Sequence, residues 1–352
     1  MLWSGPSEAG ALPTTAAGSP LVGFSFSPWA VSWASGQTPR SGLTLLLDRL
    51  HPDLVRLPVY WSEVAAEPDR FDFVSLDGLV DTVRAYNRAL PISARPVRLL
   101  LVVGGRNLVY PELRVPGWVS AADQKNLRDL YSRKPYRDYL AASFKHFAGL
   151  PELYGWQIEN EPLDDVTTDR SSSVALPALT VDSELLLLRS IDGRHPAVIT
   201  TFNSSHVSLD KKAAGPLGWL YRMLPGPRPA GHPLEALQLG NALGLDVYVV
   251  TPSTPLQEDP AWERIAWKAQ ALDYWSARAK AAGKALWITE MQAAPWSAAA
   301  GFTTQDLEDS ARSYRGKAGV IMLWGVERWL YDGAWMEAGA RAISTLRSSG
   351  GG

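Results

Sequence analysis

Two glutamates stand out by residue type and by place. One lies in Gln157-Ile158-Glu159-Asn160-Glu161-Pro162, the other in Trp287-Ile288-Thr289-Glu290-Met291-Gln292. Each follows a short apolar run, so Glu161 and Glu290 are expected where two strands end. A pair of carboxyls flanking one bond is the minimum equipment for glycoside hydrolysis, one as acid/base and one as nucleophile. That chemistry needs unlike environments, because one carboxyl must start protonated and the other ionised. A single carboxylate at a strand end is as readily explained by solvation or by capping of the next helix. Two at matching strand ends, one of them inside Asn-Glu-Pro, point instead to a shared site.

Such a site needs a scaffold, and the chain repeats one pattern that supplies it. Apolar runs lie at residues 21–27, 53–59, 97–104, 153–159, 196–203, 244–250, 284–290 and 318–324. They are near-continuous rather than alternating, as strands of a parallel sheet covered on both faces must be. Between them the sequence reads as helix. Leu76, Leu79, Val80, Val83 and Tyr86 form one stripe in 75–90, which Pro91 stops. Residues 259–283 carry Trp262, Ile265, Ala269 and Leu272 along one face, and 123–149 is broken at Pro135. Repeated strand–helix units predict a single-domain α/β fold, the (β/α)8 TIM barrel, over residues 21–346. Residues 1–20 and 347–352 are expected to be a flexible arm and tail. A doubly wound sheet with an appended domain is the alternative. No Gly-x-Gly-x-x-Gly follows any run, which removes the main support for its dinucleotide-binding form.

Composition narrows the function classes. Lys+Arg 34 against Asp+Glu 36 leaves a net charge of −2, so nothing in the charge balance invites nucleic acid or an anionic membrane surface. Cysteine is absent, which excludes a thiolate nucleophile or thiolate metal site. The histidines, His51, His146, His195, His206 and His232, show no ligand spacing, so no metal is expected and the proposed chemistry calls for no cofactor. No window is long and apolar enough for a membrane span, and the start lacks the features of a signal peptide. A cytoplasmic location is the default expectation, replaced by export if a signal precedes this sequence. Tryptophan, at 15, outnumbers Tyr 12 and Phe 8, and flat amphipathic rings stack on sugar faces as well as filling cores. Trp61, Trp118 and Trp296 fall on or just after run ends, where they stack on sugars or pack loops. Trp262, Trp267 and Trp275 are expected in helix packing.

With Asn160-Glu161-Pro162 after the fourth run and Glu290 after the seventh, the chain resembles glycoside hydrolase clan A, the retaining (β/α)8 glycosidases, with a cellulase-like character. The resemblance spans essentially the whole barrel. It implies that Glu161 is the acid/base, Glu290 the nucleophile, and Asn160 the group that bonds the sugar 2-hydroxyl. It also implies that Arg56 in VRLPVYW lies near the nucleophile, that Tyr248 in GLDVYVV bonds it, and that Trp324 in MLWG floors the sugar site. Phe71-Asp72-Phe73 with Leu76-Asp77 is similar to the clan's opening to its second helix. Cellulase-like members carry a His at the end of strand three and another two residues before the strand-six Tyr. Here Gly104-Gly105-Arg106 and Asp246 stand in those places. The run Gln157-Ile158-Glu159-Asn160-Glu161 also resembles one β-galactosidase family, without assigning Glu159 a role.

The resemblance therefore implies double displacement on a β-glycosidic bond of an oligo- or polysaccharide, with carboxyls about 5–5.5 Å apart and retained anomeric configuration. A carbohydrate-binding pseudoenzyme and a transglycosylase on the same barrel are the alternatives, and a metal-dependent barrel hydrolase is more distant. The segment 204–243 is the expected determinant of which sugar is accepted. Oligomeric state is left open.

Overall fold

The apolar runs form β1 (Leu21–Ser25), β2 (Leu54–Tyr60), β3 (Arg98–Gly104), β4 (Leu153–Ile158), β5 (Ala197–Phe202), β6 (Ala242–Val247), β7 (Ala285–Gln292) and β8 (Val320–Trp324). The strands pair in parallel in chain order, and β8 returns to β1 to close the barrel. Closure excludes the doubly wound alternative, because an open sheet would leave two edges. This computed structural model describes residues 19–34, 36–108, 112–124, 127–164, 175–202, 216–217, 219–220, 231–250, 261–296 and 301–348. Most of the expected arm and tail, and most of 204–243, lie outside the described residues. Strand limits agree with the runs to within about two residues except at β6, which starts at Ala242 and ends before Tyr248.

Around the barrel, among the described residues, lie α1 (Pro28–Ala34), α2 (Pro39–Leu50), α3 (Trp61–Val64), α4 (Val74–Ala89), α5 (Ala121–Gln124), α6 (Leu127–Ser132), α7 (Lys134–Phe147), α8 (Ala178–Ile191), α9 (Pro233–Leu239), α10 (Ala261–Ala281), α11 (Thr304–Tyr314) and α12 (Gly333–Arg347). A 3-10 helix, Val326–Tyr331, follows β8. No helix among the described residues is long and apolar enough to cross a membrane. Helix α4 buries Leu76, Leu79, Val80 and Val83 as its stripe predicts, with Tyr86 half-buried. Pro135 sits in the first turn of α7, where its missing N–H breaks no helical bond, and the segment expected as two helices or one kinked helix is three, α5, α6 and α7. In α10 the expected face is turned. Ile265, Leu272, Trp275 and Ala279 point inward, while Trp262 is 68% exposed and joins no core.

Two apolar layers hold the strands. Outside, side chains such as Trp156, Phe144 and Trp275 fill the space between sheet and helices. Inside, Leu54, Leu100, Tyr154, Val198, Trp287 and Met322 plug the lower barrel. Each such side chain stabilises the fold by about 1.5–3 kcal/mol relative to exposure. The plug stops partway up, and the next inward-facing positions are polar.

One close approach gives a test of the packing. A Cβ on Gly339 in α12 would lie 2.2 Å from Cζ3 of Trp329. That indole is buried and tethered, its Nε1 donating to the Ala293 carbonyl at 3.0 Å. Alanine would add about 1 kcal/mol of helix propensity, but overpacking against a fixed ring costs about 1–3 kcal/mol. Gly339→Ala is therefore expected to lower the unfolding free energy in urea by up to about 2 kcal/mol. An unchanged or raised midpoint would mean that the ring can yield.

Candidate active site

The polar layer above the plug consists of Ser25, Arg56, Gln157, Thr200, Asp246 and Glu290, all buried. Strands covered on both faces have no use for such side chains unless they are paired, because unpaired buried polar groups are costly. Arg56 organises the pairing. Its Nη2 meets Glu290 Oε1 at 2.7 Å and Ser25 Oγ at 2.7 Å, and its Nη1 donates to Gln157 Oε1 at 2.7 Å. Gln157 Nε2 then donates to Asn160 Oδ1 at 3.0 Å. A continuous chain of bonds thus runs from Glu290 to the turn that carries Asn160 and Glu161. The second oxygen of Glu290, Oε2, accepts from the Tyr248 hydroxyl. The β6–β7 register aligns Asp246 with Glu290, and irregular pairing on both sides of β7 accompanies Glu290. Such bulges re-aim side chains beside active sites.

The turn after β4 is built differently. Glu159 (φ 58°) and Glu161 (φ 45°) both adopt left-handed backbone, which non-glycine residues enter at a cost of about 1–3 kcal/mol. Three backbone bonds hold it: Glu159 N–H to the Val103 carbonyl at 2.9 Å, Asn160 N–H to the Arg106 carbonyl at 3.1 Å, and Glu161 N–H to Thr200 Oγ1 at 2.8 Å. Glu159 is turned toward the β3 end. Its carboxylate accepts from the backbone N–H of Gly105 at 3.0 Å and of Arg106 at 2.5 Å, and from the Tyr136 hydroxyl. A Cβ on Gly104 would lie 2.4 Å from Glu159 Cδ. The Gly104-Gly105-Arg106 departure is therefore the seat of Glu159. Burial still pushes the Glu159 carboxyl up to about 7 despite these donors.

Glu161 is buried like Glu290, but its Oε1 has no hydrogen-bond partner among the described residues. Burial, then the neighbouring Asp246 carboxyl, then Glu112, Glu290 and Asp164 push its proton affinity well above the usual carboxylate range. Tyr248 is likewise pushed well up, by burial first and Glu290 second, so its hydroxyl stays a donor. Where β8 meets β1 at the mouth opens a cavity of about 240 Å³ whose lining includes Ser25, Ser27, Trp296, Trp324, Glu327 and Tyr331, and neither Glu161 nor Glu290 lines it. Trp324 lies edge-on to Tyr248 with centroids 5.5 Å apart, and Trp296 packs against Trp324 at 4.7 Å.

The structure thus brings together Glu161, Glu290, Asn160, Arg56, Tyr248, Trp324 and Trp296. It does not bring Trp61. That ring is wholly buried among Trp118, Tyr136 and Tyr139, where no ligand can reach its faces. Trp118 packs on it and donates to the Ala65 carbonyl at 2.7 Å, so it serves loop packing too. Five site residues were not assigned a role from the sequence: Ser25, Gln157, Thr200, Asp246 and Glu327. For the first four a signal exists, a polar residue inside an otherwise apolar buried strand. Glu327, after β8, carries none. Among the described residues no cluster of His, Asp or Glu is placed to hold a metal ion.

No family model matches the chain, and no curated protein matches it. Solved structures do share its fold. A GH5_18 protein from Streptomyces cattleya in complex with GlcNAc is 14% identical, with TM-score 0.64 over 95% of this chain and 82% of that one. The exo-β-1,4-mannosidase Op5Man5 from Opitutaceae bacterium strain TAV5 is 18% identical, with TM-score 0.56 over 92% of this chain and 55% of that one. Endo-glycoceramidase II from Rhodococcus sp. is 16% identical, with TM-score 0.52 over 88% of this chain and 73% of that one. At these identities the likeness is one of fold.

Glu327 makes the electrostatics testable. Its carboxylate accepts the Ser27 N–H at 2.5 Å, yet burial pushes its pKa from an ordinary 4.5 to about 7. Between those values the folded protein holds a proton that the unfolded chain has lost, so stability from this group falls as pH rises through that window. At one pKa unit per 1.4 kcal/mol the loss is at most about 3 kcal/mol. Glu327→Gln cannot ionise and keeps an acceptor for Ser27. Its unfolding free energy is expected to drop less between pH 5 and pH 8 than that of the wild type, a difference read by urea denaturation at both values.

Proposed function

We propose that the protein is a retaining glycoside hydrolase of the clan A type, cleaving a β-glycosidic bond of an oligo- or polysaccharide by double displacement. The observation that carries this is the contrast between two buried carboxyls. Glu290 has a guanidinium on one oxygen and a phenol on the other, the setting of an oriented carboxylate nucleophile. Glu161 is buried with an unpartnered oxygen and a raised proton affinity, the setting of a general acid. The printed activities of the structural neighbours, an exo-β-1,4-mannosidase and an endo-glycoceramidase, are in keeping with it.

In the first step Glu290 attacks the anomeric carbon, the bond to the leaving oxygen breaks, and Glu161 gives that oxygen its proton. In the second, Glu161 takes a proton from water, and the resulting hydroxide displaces Glu290 from the sugar. Arg56 and Tyr248 fix the carboxylate of Glu290 in one orientation, which keeps the reacting atoms near attack geometry. Asn160 spends its Oδ1 on Gln157, which fixes the amide so that its nitrogen is turned to a sugar hydroxyl. Trp324 and Trp296 supply faces for the ring in the adjoining cavity, and Glu327 offers an acceptor to its hydroxyls.

A panel of aryl β-glycosides tests the proposal. The expected product retains its anomeric configuration by NMR. Glu290→Ala is expected to lose at least about 10³-fold in kcat/KM, the scale of nucleophile loss in two-step hydrolases. Glu161→Gln is expected to lose about 10²–10⁴-fold on poor leaving groups and much less on activated ones, which need no acid. An inverted product would end the mechanism, and saturable binding without cleavage by the wild type would favour a carbohydrate-binding protein.

A further inference from the structure

Asp246 stands two residues before Tyr248 on β6, where the mechanism above gives it no task. It is wholly buried, its Oδ1 accepts the Thr289 hydroxyl at 2.6 Å, and its Oδ2 has no donor among the described residues. The side chain of Glu161 is its neighbouring carboxyl, and among the described residues Glu161 Oε1 also has no donor. Two buried carboxylates facing each other with acceptors alone are electrostatically untenable. One shared proton satisfies both orphaned oxygens at once.

We propose that Asp246 is the positioning residue of the acid/base: it stays ionised, accepts the hydrogen bond of protonated Glu161, and thereby loads Glu161 with its proton. This rests on the function proposed above and names the device that runs it. Thr289 favours Asp246 as the anion, since its hydroxyl donates to Oδ1, whereas Glu161 Oε1 meets no donor among the described residues. The charges balance through the cycle. At rest Glu290 and Asp246 are negative and Glu161 is neutral. Once Glu290 is esterified and Glu161 has given its proton to the leaving oxygen, Glu161 and Asp246 carry the same two charges. Their repulsion makes Glu161 a stronger base toward the incoming water, and the proton returns when water is split. The position therefore acts in both half-reactions, through Glu161 in each.

Other charges face the pair and are left in place by a change at Asp246. They are Glu290 on β7 with Arg56 on β2, Arg106 after β3 with Glu112 at 3.2 Å, and Asp164 after β4 with His232 Nδ1 at 2.9 Å, beside the Tyr248 phenol. Asp246→Asn keeps the size of the side chain and an acceptor for Thr289, but replaces the neighbouring anion with an amide that donates to Glu161. The alkaline limb of kcat/KM against pH, measured on 4-nitrophenyl and dinitrophenyl glycosides, is expected to move down by at least about one pH unit. The loss above neutral pH is expected to be larger for the poorer leaving group. A merely structural role would lower both substrates alike and leave the limb where it was. An unmoved limb overturns the proposal, because it would mean that Asp246 already holds the proton and that the amide only imitates it.

A second measurement needs no turnover. With ¹³C-labelled side-chain carboxyls, Glu161 in the wild type is expected to remain protonated at pH 6 while Asp246 is ionised. The Glu161 midpoint is expected to fall in Asp246→Asn, whose folding is checked by its melting curve. The reverse assignment, or an unchanged midpoint, sinks the proposal even if the variant fails to fold, since the wild-type titration alone reports which carboxyl holds the proton. If no glycoside is cleaved by the wild type, the glycosidase proposal fails while this titration still decides the pair.

Discussion

A guanidinium without water must be surrounded by acceptors, and Arg56 sets the arrangement of the barrel mouth for that reason. It lies fully buried above the apolar plug, and each of its contacts comes from a different strand: Ser25 on β1, Gln157 on β4 and Glu290 on β7. Removing one partner of a buried ion pair leaves a charge that typically costs about 3–5 kcal/mol. The barrel is thus committed to a carboxylate at position 290, and the same cation that stabilises it aims it. In the proposed mechanism, stability and reactivity share this contact.

The turn after β4 meets the same constraint from the other side. It sends Glu159 and Glu161 from one short segment into two environments. Glu159 accepts backbone donors at the seat made by Gly104 and Gly105, a place where a side chain on Gly104 would collide with its carboxyl. Glu161 goes to the mouth, where its Oε1 meets no donor among the described residues. The positive φ at both residues is the strain by which this is done, and the bonds to Val103, Arg106 and Thr200 sustain it. Two departures from the cellulase-like pattern therefore belong to distinct local solutions: paired glycines that receive Glu159, and Asp246 beside Glu161.

Electrostatically the site works by contrast. Three buried carboxyls, Glu161, Asp246 and Glu290, stand within reach of one another, with Arg56 bonded to Glu290 and Arg106 on the side of Glu161. Counting Glu112, which pairs with Arg106, the buried carboxyls outnumber these two guanidiniums, which favours a bound proton. Catalytic carboxyl pairs depend on environments that push their proton affinities apart. Here the difference comes from which oxygens receive donors, a matter of a few ångströms of backbone placement.

Eight near-continuous apolar runs alternating with helical stretches made the barrel the favoured reading, because strands of a covered parallel sheet are apolar throughout. Only closure of β8 on β1 excluded a doubly wound sheet. Strand ends then located Glu161 and Glu290, since parallel barrels place side chains that react at that face. Side-chain direction was not legible. Trp61 and Trp296 look alike as residues following strand ends, yet one is sealed behind α7 and the other borders the cavity. Trp262 sits at helical spacing with its neighbours, yet the rotation of α10 leaves it in solvent. The partnership of Glu161 with Asp246 was beyond reach as well, because it depends on register between strands far apart in the chain. Local sequence carries the pattern of burial, which is a property of each segment. Which buried groups face each other is decided only when the sheet closes, since closure sets the distances between strands that no single segment contains.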